Sequence, residues 1–248
     1  MFTRLRPFRY AIVAAFALLV AAVVMMVTES APMSVATFQQ VAPPSPQLGE
    51  PRPAPKIGPA KLIYKVDTTD PVVFLTIDDG AHRDPAMADI LNRNGIKAAF
   101  FLTKKYVEHD PEFFRKLRDD TGSAIENHTA THVNLKGQPG VFQANEIGPV
   151  SDQYQQWFGA RPTLFRAPYG NSDDATLQAA GEAGARYVVN WGSEVIDGQV
   201  RFSGPQEFRP GSIVLMHFRD TFEKDVNAFM AQAKKNGLRP ALLTDYLT

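Results

Sequence analysis

Short apolar runs alternate with amphipathic segments along the chain from about residue 61 to its end. The apolar runs are typical of buried strands, and two amphipathic segments begin at an Asp-Pro pair and end at a glycine, as helices do. The pattern predicts strands at 72–77, 97–103, 123–127, 163–167, 186–191 and 212–218, and helices at 84–95, 110–122, 142–159, 173–184 and 221–236. This alternation predicts an α/β domain with a parallel sheet, and the number of elements favours a barrel over an open sheet.

Polar residues follow the carboxyl ends of several predicted strands, where parallel α/β folds carry their reactive groups. They are Asp78, Asp79, Asn127, His128, His132, Arg166, Tyr169, Asp197 and His217. Three of the five histidines belong to this group, whereas His82 and His109 do not. No G-x-G-x-x-G sequence follows the first strand, which argues against a dinucleotide site.

His128 and His132 are spaced to bind one ion, because residues four apart lie on the same side of a helical turn. The chain contains no cysteine, so a third ligand must be His, Asp or Glu, and Asp79 is the natural candidate. Two histidines and one carboxylate leave a position open on Zn²⁺ for water and substrate. An H-x-x-x-H pair also arises by chance, and the alternative is a pair of surface histidines.

The adjacent carboxylates of Asp78 and Asp79 repel each other unless a cation compensates for their charge. A metal bound by Asp79 would leave Asp78 free to act as general base, whereas without a metal the sequence predicts an ordinary turn with solvated acids. His217 lies inside an apolar strand and is the remaining residue suited to general acid catalysis, unless its role is structural. Leu215 shares its strand face and would line an apolar pocket.

The sequence RAPYG at 166–170 follows the fourth predicted strand. Arg166 is a charge at a strand end, where a carboxylate partner is expected. Pro168, Tyr169 and Gly170 predict a rigid turn whose N–H groups would form an oxyanion hole together with the metal. The alternative is a surface turn with an exposed arginine.

In this order, these residues resemble the polysaccharide deacetylase family, the NodB-homology domain of carbohydrate esterase family 4. The motifs that carry the resemblance are TIDDG (76–80), HTATH (128–132), RAPYG (166–170), WGSEVID (191–197) and LMH (215–217). The resemblance implies a distorted (β/α) barrel with about seven strands. It also implies a divalent ion, usually zinc although Co²⁺ or another ion is an alternative, and hydrolysis of N-acetyl groups in a GlcNAc-type polysaccharide.

The resemblance further implies a role for each residue of the site. Asp79, His128 and His132 would bind the metal. Asp78 would be the base, His217 the acid and the Tyr169 N–H the oxyanion donor, while Arg166 would orient Asp78 and Asp197 would orient His217.

One position departs from the family pattern, because Gly198 follows Asp197 where the family usually has tryptophan. Trp191 would replace the missing indole in the wall of the acyl pocket, or the pocket would be wider. We therefore predict that Pro168, Trp191 and Leu215 contact the substrate.

The first thirty residues predict a membrane segment. Three arginines and no acid precede the 17 uncharged residues of 11–27, so 1–30 is predicted as a cytoplasmic basic end with a signal-anchor helix. A cleaved signal with a small-x-small site at 34–36 is the alternative. A Pro-rich linker at 31–62 and a catalytic domain at 63–248 would follow, outside the cytoplasmic membrane or secreted.

The charge balance limits the partners. Lys plus Arg and Asp plus Glu both total 26, so nothing favours nucleic acid as a partner. A polysaccharide and, through the N-terminal helix, the membrane are the predicted partners. The alternatives are an O-acetyl esterase for a polymer such as xylan, a non-catalytic glycan-binding module and, less compatible with an adjacent aspartate pair, a glycosidase.

Overall fold

The computed structural model describes residues 57–247. The predicted basic end, the signal-anchor helix and the linker as far as residue 56 lie outside the described residues. Within 57–247, none of the helices combines the length and the apolar character that crossing a bilayer requires.

The described residues form strands and helices in alternation. The strands are β1 Lys61–Ile63, β2 Val72–Asp79, β3 Ala99–Leu102, β4 Ala124–Asn127, β5 Leu164–Phe165, β6 Tyr187–Val189, β7 Ser193–Ile196, β8 Gln199–Phe202, β9 Ser212–His217 and β10 Arg239–Pro240. The helices are α1 Ala86–Arg93, α2 Lys104–Val107, α3 Pro111–Thr121, α4 Gly140–Phe158, α5 Asp174–Glu182 and α6 Phe222–Lys235, with two 3₁₀ turns at Pro168–Gly170 and Leu243–Asp245.

All ten strands belong to one sheet with the order β1-β6-β5-β4-β3-β2-β9-β7-β8, and β10 pairs with the start of β2. Every pairing is parallel except that of β7 with β8. Lys65, just beyond the edge strand β1, forms a bridge with Ser212 of β9, so the sheet curls into a half-barrel. The predicted α/β class is confirmed, whereas the sheet contains ten strands in the described residues where about seven are expected, and β1, β5 and β10 have only two or three residues each.

The two faces of the sheet follow the alternation along β2. Val73 and Leu75 point outward into the apolar layer formed with the helices. Val72 and Phe74 point inward, into a second apolar cluster inside the curl. Thr76 continues the inner face and is fully buried, which makes the carboxyl end of this face polar. The inner face therefore has an apolar base with a polar edge above it.

Capping residues fix where helices α3 and α5 begin, and a left-handed glycine fixes where α3 ends. Asp110 caps α3 by accepting from the N–H of Phe113, Pro111 occupies the first turn and Gly122 ends the helix in the left-handed conformation. Asp173 caps α5 in a capping box with Thr176. Both helices begin and end within two residues of their predicted bounds.

Candidate active site

The candidate catalytic residues meet at the carboxyl edge of the sheet, on neighbouring strands. Asp78 of β2 is aligned with His217 of β9 in the parallel register. Asp79 has a φ of 78°, so the chain leaves the extended conformation there and its side chain no longer alternates with that of Asp78. Both aspartates consequently face one imidazole: Nε2 of His128 is 3.7 Å from Oδ2 of Asp78 and 3.7 Å from Oδ1 of Asp79.

Asp79, His128 and His132 form a cluster whose ligand atoms all lie within 4.8 Å of one another. Oδ1 of Asp79 is 3.2 Å from Nε2 of His132. Nδ1 of His128 is 2.8 Å from the backbone oxygen of Arg166, and because a carbonyl only accepts, the proton is on Nδ1 and the Nε2 lone pair faces Asp79. Burial lowers the pKa of His128 to about 3, which keeps the ring neutral.

The cluster fits a divalent cation. Oδ1 of Asp79 is buried and has no hydrogen-bond partner among residues 57–247. Burial acts to raise the pKa of Asp79, but the neighbouring His132 and His128 outweigh it and the pKa is lowered, which favours the carboxylate. One carboxylate oxygen and two imidazole nitrogens lie close together, and no N–H or O–H group among the described residues satisfies the carboxylate oxygen. Zn²⁺ and similar ions prefer this set of ligands.

The loop that carries the two histidines is not the helical turn that their spacing predicted. Thr129 and His132 have φ values of 74° and 63°, in the left-handed region. The N–H of Thr129 donates to Oδ1 of Asn127, and the N–H of His132 donates to Oγ1 of Thr129. Side-chain acceptors therefore replace helical hydrogen bonds, and the imidazoles converge for a different reason from the one inferred.

Arg166 is fully buried, and its carboxylate partner is Asp78. Nη1 of Arg166 lies 2.7 Å from Oδ1 of Asp78 and 2.8 Å from Oγ1 of Thr76, and its Nε donates to the carbonyl of Val189. Burial raises the pKa of Asp78, while Arg166 and His217 partly oppose that rise. Sequence reasoning did not single out Thr76, although it shares a strand face with Asp78 by the period of two.

His217 ends β9 beside this pair. Burial lowers its pKa below the ordinary value, against the opposing influence of Asp78 and Asp79. Because the lowered pKa keeps the His217 ring neutral at pH 7, the ring can donate a proton only after a neighbouring group has supplied one.

Asp197 does not join the cluster, so its role as the partner of His217 stays a prediction. It is exposed in the β7–β8 turn, and no hydrogen bond or ion pair links it to His217 within the described part of the chain. Asp197 and Gly198 have φ values of 52° and 74°, the two-residue type I′ hairpin that an Asp-Gly pair favours. The N–H of Gly198 donates to Oδ1 of Asp225 at 2.6 Å, which fixes the turn on α6.

The Pro168–Gly170 turn borders the cluster of Asp79, His128 and His132. Tyr169 has a φ of 62°, and its exposed ring meets His132 edge-on with centroids 4.9 Å apart. The hydrogen bonds within the turn use the N–H groups of Gly170 and Asn171 and not that of Tyr169. The Tyr169 N–H is therefore available to a bound ligand.

Trp191 and Leu215 lie on the inner side of the site. The ring of Trp191 occupies the space beside Gly170, where an added Cβ would approach it to 3.2 Å. The Arg166 guanidinium lies 5.3 Å from the Trp191 ring centroid and 4.3 Å from that of Phe101. Leu215 is 3% exposed and forms part of the floor.

Comparison with solved structures assigns the fold. A carbohydrate esterase family 4 pseudoenzyme from Bacillus anthracis superposes with a TM-score of 0.65 at 22% identity, covering 77% of this chain and 70% of that one. A mutant of that pseudoenzyme with restored enzymatic activity superposes with a TM-score of 0.66 at 24% identity, covering 77% of this chain and 72% of that one.

Sequence comparison assigns the family. The polysaccharide deacetylase model matches residues 65–188. An uncharacterized protein of Streptomyces coelicolor is 33% identical over 192 residues, 75% of this chain and 77% of its own length. The peptidoglycan-N-acetylglucosamine deacetylase of Bacillus cereus is 28% identical over 153 residues, 58% of this chain and 55% of the relative. The chain belongs to the polysaccharide deacetylase family.

Proposed function

We propose that this protein is a metal-dependent hydrolase that removes N-acetyl groups from a GlcNAc-type polysaccharide such as peptidoglycan or a chitin-like polymer. One arrangement carries the proposal: the Asp79, His128 and His132 cluster lies directly beside the buried Asp78–Arg166 pair. Hydrolysis of an amide by water requires a cation that activates the water and a positioned carboxylate that accepts its proton. This arrangement provides a site for each. The kinship with a peptidoglycan-N-acetylglucosamine deacetylase supports the choice of substrate class.

A divalent ion bound by Asp79, His128 and His132 would polarise the acyl oxygen and lower the pKa of a nearby water. Asp78 accepts the proton of the attacking water in this scheme. Arg166 holds Oδ1 of Asp78 at 2.7 Å, so the carboxylate does not rotate away during the reaction.

Two further groups complete the proposed reaction. The N–H of Tyr169 donates to the oxygen of the acyl carbon as negative charge develops on it. The leaving amine needs one proton, and it receives through His217 the proton that Asp78 has taken from the attacking water. Asp78 and His217 are aligned on adjacent strands, so they flank the scissile bond from neighbouring positions.

Acetate release tests the proposal. Peptidoglycan, chitin oligomers and acetyl-xylan are incubated with the protein, with and without a chelator. We expect acetate from the GlcNAc polymers and loss of activity in the chelator, with recovery on addition of Zn²⁺. Activity that persists after complete metal removal contradicts the metal site, release from acetyl-xylan alone indicates an O-acetyl esterase, and glycan binding without acetate release indicates a binding module.

The proposed location is the outer side of the cytoplasmic membrane. The basic residues before 11–27 and the proline-rich segment after it support a tethered domain or, if the signal is cleaved, a secreted one. Protease added to intact spheroplasts should digest the domain and spare a cytoplasmic marker. Resistance of the domain in intact spheroplasts, with digestion after lysis, would place it inside.

A further inference from the structure

The segment from His128 to His132 has an unfavourable backbone conformation, which contacts with the rest of the fold must stabilise. Its left-handed residues include Thr129, which is β-branched, and this conformation is unfavourable for a residue other than glycine. The first half of the segment has several anchors, among them the bond from Thr129 N–H to Asn127 and the bond from His128 Nδ1 to the Arg166 carbonyl. The second half, from Ala130 to His132, is held by hydrogen bonds with Lys105, Thr129 and Glu146.

Glu146 supplies most of those contacts from helix α4. Its Oε2 accepts from the N–H of Thr131 at 2.9 Å, and its Oε1 accepts from Oγ1 of Thr131 at 2.9 Å. Its backbone oxygen accepts from the N–H of Ala130 at 2.9 Å. The side chain of Glu146 is thus bound to one residue through both oxygens, and that residue directly precedes His132.

Glu146 is buried in a part of α4 that is bonded to the histidine loop. The residue is 9% exposed and occupies the second turn of α4. Pro149 lies inside the same helix and cannot donate a backbone hydrogen bond, which weakens the helical ladder at this point. External donors use the neighbouring carbonyls instead, since Ala130 N–H donates to Glu146 and the Asn127 amide donates to Ile147.

We propose that Glu146 is a positioning residue that fixes the Ala130-Thr131 segment and thereby keeps His132 within reach of Asp79. It does not touch the reacting atoms. The inference rests on the metal site of the proposed function, because it concerns the geometry of one ligand of that site. Its physical content is geometric: the two oxygens of Glu146 hold Thr131 in the one orientation that directs the following imidazole at Oδ1 of Asp79, 3.2 Å away.

Glutamine distinguishes geometry from charge at this position. The amide oxygen of Glu146→Gln can accept from the N–H of Thr131, and its NH₂ can donate to the Thr131 hydroxyl, which is both donor and acceptor. Glu146→Ala removes both bonds and leaves the N–H of Thr131 without its partner. The positioning role therefore predicts opposite results for these two variants.

The affinity of the full chain for Zn²⁺ alone, measured by competition with a chromogenic chelator, tests the inference without any turnover. Glu146→Ala should weaken Zn²⁺ binding about 10- to 100-fold, the usual effect of removing a residue that orients a metal ligand. Glu146→Gln should remain close to the unchanged protein. Asp152→Ala, on the same helix but bonded to Arg161, is the matched control and should leave the affinity unchanged.

Thr131 gives a second route to the same answer, because its side chain is exposed and its truncation does not disturb the core. Thr131→Ala should weaken Zn²⁺ binding less than Glu146→Ala. The double variant should be no weaker than Glu146→Ala, since both changes remove one shared contact. If Glu146→Ala does not fold, the Thr131→Ala affinity decides: a weaker affinity supports the inference and an unchanged one overturns it.

Other outcomes separate this inference from the proposed function. Unchanged Zn²⁺ affinity in a folded Glu146→Ala variant, or equal weakening by Ala and Gln, overturns the positioning role and leaves the metal site intact. An unsubstituted chain that binds no Zn²⁺ overturns the metal site and the positioning role together.

Discussion

The adjacent aspartates allow a test in which two isosteric changes, one residue apart, should have different effects. In the unsubstituted protein, Nη1 of Arg166 lies 2.7 Å from Oδ1 of Asp78. In Asp78→Asn the amide oxygen can still accept this hydrogen bond, but the site loses its general base. Loss of a positioned base costs about 10²- to 10⁴-fold in kcat. In Asp79→Asn the change falls on the cluster with His128 and His132, so we expect binding of a divalent ion to be lost.

The free energy of unfolding of the two variants, with and without Zn²⁺, is a second measurement that separates them. Asp78 is 2% exposed, and removing one partner of a buried ion pair costs at most about 3–5 kcal/mol, less here because the hydrogen bond remains. A ligand present at 100 times its Kd stabilises the folded state by about 2.7 kcal/mol. Asp78→Asn should keep that gain on addition of Zn²⁺, although its metal-free form unfolds more easily. Asp79→Asn should lose the gain.

The assay combines acetate release with urea unfolding at pH 7, each with and without Zn²⁺. Asp78→Asn is expected to be inactive and still stabilised by the metal. The reverse result, in which Asp78→Asn loses the Zn²⁺-dependent stabilisation and Asp79→Asn retains it, would refute the division of roles between the two aspartates.

Three further changes have defined outcomes. Trp191→Ala should reduce the preference for acetyl over larger acyl groups by about 1–3 kcal/mol in kcat/KM, because its ring fills the space beside Gly170; an unchanged preference removes Trp191 from the pocket. Asp197→Asn should change the activation free energy for kcat by no more than about 0.5 kcal/mol, since the residue is an exposed turn position; a large loss of kcat would instead support its predicted role as the partner of His217. Asp173→Ala should destabilise the fold by about 1 kcal/mol at pH 7 through loss of the α5 cap. The N–H of Gly137 and other donors lower the pKa of Asp173 to about 2, so this stabilisation is present above about pH 4 and disappears as the pH falls to about 2; urea unfolding that shows an equal difference at pH 7 and pH 2 contradicts it.

The sequence predicted the parts of the site that depend on a residue type at a strand end. Asp79, His128 and His132 were identified because their chemistry and spacing suit one ion, and the structure brings them together. The partner of Arg166 was expected to be a carboxylate for the same reason, because a buried cation requires one.

Other parts of the site had no such signal. Glu146 and Thr131 are 15 positions apart and follow no helical or strand period, so only the fold reveals their contact. The Asp-Gly pair at 197–198 did carry a hairpin signal, but the family motif gave Asp197 a catalytic role instead. Strands as short as β10, with two residues, form only where a neighbouring strand is already present, so no local pattern indicates them.

Among residues 57–247, four of the five non-glycine residues with positive φ, namely Asp79, Thr129, His132 and Tyr169, belong to the candidate site. Holding them in that conformation lowers the stability of the fold, yet it also means that no loop has to become ordered when an ion arrives. The metal-free and metal-loaded forms should therefore have the same shape, and crystals grown without metal should accept Zn²⁺ by soaking without cracking. The same rigidity gives the protein little freedom to accommodate ions with other preferred geometries, so selection among metals would be built into the backbone itself.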